Sequence, residues 1–118
     1  MEDHDKTLDY IYQLLKEVIP EHVYYSLSIS DRAEYPVLIY QETNNRSVMY
    51  ADDKYLVKRR TIQITLITKT KQIRLERKLE KKLDDNDLDY QMVSEYFIKG
   101  SGLHRIYEIK MEEYKYEQ

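Results

Sequence analysis

Between Tyr55 and Thr68 the chain reads YLVKRRTIQITLIT, and Leu56, Ile62, Ile64 and Leu66 alternate with Thr61, Gln63 and Thr65. A period of two sends successive side chains to opposite faces of a strand, so one face of this segment calls for a covering layer and the other can meet water. Its first half carries Lys58, Arg59 and Arg60 in a row. Three adjacent cations are costly to bury, so this half is expected to run out beyond the core.

The flanking segments supply both layers. Leu8, Ile11, Tyr12, Leu15, Val18 and Ile19 recur at three- and four-residue spacing, which predicts an amphipathic helix stopped by Pro20. Val23, Tyr25, Leu27 and Ile29 then alternate with polar residues as a first strand, Asp31 to Glu34 carries turn chemistry, and Tyr35 to Thr43 forms a second strand. Asn44 to Lys54 is polar and reads as a long projecting hairpin tip. A second helix, capped by Thr68 or Thr70, runs to about Leu83 with Ile73, Leu75, Leu79 and Leu83 on one side, and DDND ends it. Tyr90 to Lys99 and Leu103 to Tyr116 make a last hairpin around Gly100-Ser101-Gly102, with Leu103, Tyr107, Ile109 and Met111 inward and His104, Glu108, Lys110 and Glu112 outward. The expected fold is α+β, in the order α-β-β-β-α-β-β, with both helices packed on one side of a mostly antiparallel sheet, as a single domain over residues 1–118.

Composition narrows the chemistry. The 118 residues include no cysteine, which removes disulfides, thiolate metal sites and cysteine nucleophiles and fits a cytoplasmic setting. No apolar run approaches the ~20 residues of a membrane span, and the opening MEDHDK is unlike a signal peptide. Only two glycines are present, too few for a phosphate-cradling loop. Thirteen tyrosines against one phenylalanine and no tryptophan point instead to half-buried aromatic positions, as in subunit interfaces.

No catalytic, cofactor-binding or metal-binding residues are assigned. His4, His22 and His104 are scattered, and a histidine metal site needs convergence. Asp85, Asp87 and Asp89 imitate the start of a calcium loop, but Tyr90 and Tyr96 stand where that loop needs a glycine and a bidentate glutamate. No serine occupies a nucleophile elbow, so no enzymatic activity is expected.

Charge is polarised along the chain. Lys69 to Lys82 is basic apart from Glu76 and Glu80, whereas Glu108, Glu112, Glu113 and Glu117 face only Lys110 and Lys115. Two solvated faces would explain this; so would head-to-tail contact between copies, with Arg74, Arg77, Lys78 and Lys81 of one approaching Glu108, Glu112 and Glu113 of the next. The hairpin tip is the second interface candidate: Asn44, Asn45, Arg46, Asp52, Asp53 and Lys54 form a polar rim around Val48, Met49 and Tyr50, suited to a partner or a ring lumen. An alternative makes the chain a small nucleic-acid-binding or other interaction module using the basic helix 69–82. A net charge of −3 opposes specific nucleic-acid binding.

The layout of a short helix, YPVLIYQETNN, a polar loop, DDKYLVKRRTIQITLITK, a charged helix and a final strand pair resembles the tail-terminator and tail-completion proteins of long-tailed bacteriophages and prophages. The resemblance covers nearly the whole chain and rests chiefly on Tyr35-Pro36, Tyr40, Asn44, Asn45 and Gln63. It implies a cofactor-free virion protein that forms a ring, typically hexameric, on the tail tube, stops tube growth and joins the tail to the head connector. Minor capsid and head-tail joining roles occur in the same family. The implied partners are other copies of itself, the tail tube protein and the head connector protein, with no membrane. The implied location is the virion tail, or the host bacterial cytoplasm during assembly.

Overall fold

The structure, a computed structural model, describes residues 5–26, 34–49 and 55–116. Helix α1 spans Lys6–Lys16, and the Asp5 carboxylate caps it by accepting the Thr7 and Leu8 amides at 3.0 Å. Ile11, Leu14 and Leu15 are buried, and Val18 and Ile19 stay buried in the turn that follows. That turn replaces the helical end expected at Ile19: the Glu17 amide bonds back three residues to Leu14 and the Val18 amide to Leu15, a tightening that suits the approach to Pro20.

Strand β1, Val23–Tyr25, lies parallel to β2, Val37–Met49. It ends at Ser26, which takes a left-handed φ of 65° while its amide bonds to the Tyr40 carbonyl. The rest of the expected first strand lies outside the described residues, as do Asp31 to Ala33 of the turn. Strand β3, Tyr55–Thr68, pairs antiparallel with β2 from Val37↔Ile67 to Met49↔Leu56, with one register shift between Glu42 and Asn44. The hairpin tip is therefore shorter than expected, because Asn44 to Met49 continue β2. Polar side chains on an open sheet face do not prevent backbone pairing, because the ladder to β3 is made by the alternate main-chain amides and carbonyls, whatever the side chains. Tyr50 to Lys54 lie outside the described residues.

Helix α2 spans Ile73–Asp85. Neither threonine caps it: Thr68 is still paired with Leu103, and Gln72 occupies the cap without a side-chain hydrogen bond. Leu79 and Leu83 enter the core as expected, but Ile73 is exposed and Glu76 is buried in its place. Asp87, at φ 54°, turns the chain into β4, Asp89–Ile98, which pairs with β5, Gly102–Tyr116. The strand order is β1-β2-β3-β5-β4, antiparallel except at β1.

Both helices cover one face. Ile11, Leu15, Leu79 and Leu83 pack with Leu38, Ile62, Ile64, Leu66, Tyr107 and Ile109. Each such side chain contributes about 1.5–3 kcal/mol on leaving water. On the outer face the described residues form a small apolar cluster of Val37, Ile39 and Ile67 with Tyr35 against it.

Candidate functional site

The charged residues divide between two ionic cages on the helix face and a polar grid on the outer face. Arg60 is in phase with Ile62 and Ile64, so its side chain points under the start of α1. It is only 5% exposed, against the expectation that this half of β3 escapes burial. Three carboxylates make burial tolerable. Arg60 donates to Asp5 at 2.8 and 3.1 Å, to Glu113 at 3.0 Å, and through Nε to Glu42. Burial lowers the Arg60 pKa, but the hydrogen bonds to Asp5, Glu42 and Glu113 outweigh it and hold the guanidinium above its ordinary value. Reciprocally, the Arg60 hydrogen bond is the main cause holding Asp5 below the usual carboxylate range, and Glu113 is lowered first by the Thr7 hydroxyl and then by Arg60.

The second cage joins α2 to the last hairpin. Arg105 donates to Glu80 and Glu95 at 3.0 Å and to the Tyr107 hydroxyl at 2.6 Å, and that hydroxyl donates to Glu80 at 2.6 Å. Lys71 bridges Glu95 to Glu76, which is 2% exposed. Burial pushes the Tyr107 phenol upward, and its bond to Glu80 adds to the shift. A buried carboxylate and phenol are often catalytic candidates. Here Lys71 donates to the Glu76 carboxylate, and the Tyr107 hydroxyl lies between Arg105 and Glu80.

Ion pairs and hydrogen bonds within the chain occupy several of the expected interface residues. Glu113 belongs to the first cage, Glu112 pairs with Arg59 at 3.7 Å, Arg77 pairs with Glu80, Lys81 with Asp85, and Lys78 donates to the Val18 carbonyl. Arg74 is exposed on α2, and Glu108 lies on the outer face. An ionic contact between copies would place the helix face of one against the outer face of the next. Exposed ion pairs contribute only about 0–1 kcal/mol each, so such a contact needs an apolar component.

Exposed apolar side chains lie at the sheet edge. β4 has a neighbour on one side only, and Met92, Val93, Tyr96, Phe97 and Ile98 are all exposed, Phe97 at 65%. The hairpin pattern places this segment beside β5, and the adjacent Tyr96, Phe97 and Ile98 are its one signal in the sequence, since consecutive apolar residues occupy both faces of a strand and the helices cover only one. Val93 is the extra residue of a register shift between Met92 and Ser94. On the outer face Tyr96 stacks on His104 at 5.5 Å, and Ser101 bonds the His104 ring at 2.8 Å.

Asn44, Asn45 and Arg46 of the tip candidate are exposed on β2; Val48 and Met49 pair along their backbone with Val57 and Leu56. Tyr50, Asp52, Asp53 and Lys54 lie outside the described residues. Among the described residues no group of three or more histidine, aspartate or glutamate side chains is placed to hold a metal ion, and no helix is long and apolar enough to cross a membrane. Comparison with family models and with curated proteins finds no match to this chain.

Proposed function

We propose that this chain is a structural assembly protein of the phage tail-terminator kind, whose copies close into a ring that ends a tail tube and joins it to a head connector. The observation that supports this reading most directly is the β4 edge. A ten-residue strand that leaves one row of backbone groups unpaired and exposes five large apolar side chains is suited to contact with another protein surface. Natural edge strands are usually guarded by lysine or proline, and β4 contains neither. A ring requires head-to-tail contact: β4 of one copy against a different surface of the next, so that no edge remains free after closure.

The test is negative-stain imaging of the protein alone and with polymerising tail tube protein. The expected result is rings or tubes capped at finite length, absent in a Val93→Lys/Phe97→Glu variant. Both residues are exposed, so the variant should melt within a few degrees of the parent. A parent that stays monomeric at high concentration and leaves tubes uncapped would overturn the proposal, and so would a two-fold dimer that buries β4 against β4.

A further inference from the structure

On the outer face, three strands bring cations together across the sheet. Arg46 of β2 stands directly opposite Arg59 of β3, and in the next row Asn44 stands opposite Thr61, which stands opposite Lys110 of β5. These residues, with Glu112, line a depression of about 330 Å³. Directly opposed side chains on antiparallel strands have Cβ atoms about 4.5–5.5 Å apart, and like charges there destabilise the pair. Glu112 answers Arg59 at 3.7 Å, an ion-pair distance longer than a hydrogen bond, while Arg46 and Lys110 form no ion pair with another described residue. Apart from Arg60, whose charge is answered by Asp5, Glu42 and Glu113, the lining carries the cations Arg46, Arg59 and Lys110 and the carboxylate Glu112.

From this geometry we infer that the depression binds a compact phosphate dianion, either inorganic phosphate or the phosphate of a small monoester. Arg46 and Arg59 supply planar donors, Lys110 a point charge from the adjoining row, and Asn44 and Thr61 neutral polar groups. A bound dianion would offset the repulsion between the opposed Arg46 and Arg59. The surroundings favour a small ligand over a polymer. Asp89 lies beyond Lys110, Glu108 lies one row further along β5, and Glu112 closes the other end, so a nucleic-acid strand continuing across the face would meet carboxylates on leaving the cations.

The inference is independent of the ring proposal and is tested on the purified chain by amide NMR titration with inorganic phosphate and with ribose 5-phosphate, at constant ionic strength in chloride. The expected result is saturable shifts around Asn44, Thr61 and Lys110 with a dissociation constant on the order of 1 mM, about tenfold weaker in Arg46→Gln and in Lys110→Gln and unchanged in Arg74→Gln. Tighter binding of ribose 5-phosphate would identify a monoester as the ligand, and equal binding would identify free phosphate. Without phosphate, Arg46→Gln should melt about 1–4 °C above the parent at low salt, because it removes one of two opposed like charges. Binding that is unsaturable, or unchanged in an Arg46→Gln/Lys110→Gln variant of normal melting temperature, would overturn the inference. So would tighter, steeply salt-dependent binding of a single-stranded oligonucleotide through the same residues.

Discussion

Replacing Arg60 with methionine is expected to lower stability at neutral pH by about 3 kcal/mol, seen as a drop of about 10 °C in melting temperature. Methionine fills similar space on the helix face, so the loss is electrostatic. Asp5, Glu42 and Glu113 would remain converged on a site from which the guanidinium has been removed. Removing one member of a buried ionic cluster costs about 3–5 kcal/mol, and the lower end applies because these carboxylates keep some contact with water. The helix start would suffer as well, since Asp5 both caps α1 and holds Arg60.

The pH dependence separates this effect from ordinary repacking. Asp5 and Glu113 have folded-state pKa values below their ordinary ones. Their stabilisation is therefore present above the unfolded carboxylate pKa near 4 and is lost as pH falls through the lower folded values. The parent should lose stability progressively below about pH 4. Arg60→Met should lose less, so the two melting temperatures converge in acid. A constant gap from pH 7 to about pH 2.5 would mean that the cost came from packing, and a gap of less than 2 °C at neutral pH would show that the cage contributes little.

Replacing Gly102 with alanine should cost about 3 kcal/mol for a different reason. Gly102 adopts a φ of +120°, a conformation L residues rarely take, and an added Cβ would sit 2.5 Å from the Thr68 carbonyl oxygen. Backbone strain contributes about 1–3 kcal/mol and overpacking a similar amount. Thr68 is backbone at the end of β3 and cannot swing aside as a side chain would, so the β4–β5 hairpin must shift away from it. Gly100 provides the control: it also has positive φ, at +85°, but open space around it, so Gly100→Ala should cost only about 1 kcal/mol. Thermal melts of the two variants should differ by several degrees, with faster hydrogen exchange along β4 in Gly102→Ala alone. Equal melts would show that the contact with Thr68 relaxes freely.

The order of elements, the stripe of α1, the Leu79–Leu83 part of the α2 stripe and the inward face of β5 were legible in the sequence, because burial of one face imposes a period that local residue choice must follow. Leu79 and Leu83 on α2, and Tyr107 and Ile109 on β5, occupy the core that their spacing implied. The same periodicity held a clue to the Arg60 cage: Glu42, Arg60 and Glu113 fall in the apolar phase of three different strands. Phase alone could not show that the three strands adjoin, and a charge in an apolar phase is as readily the mark of a strand leaving the core. What only the tertiary structure decided is the pairing of distant segments. The β1-β2-β3-β5-β4 order makes β4 an edge and turns Tyr96, Phe97 and Ile98 from hairpin residues into an exposed apolar margin. The register of β2 on β3 on β5 sets Arg46, Arg59 and Lys110 around one depression. Spacing along one chain determines which face a side chain occupies, whereas register between chain segments is set by long-range packing, and the cost of a charge depends on which charges that packing places beside it.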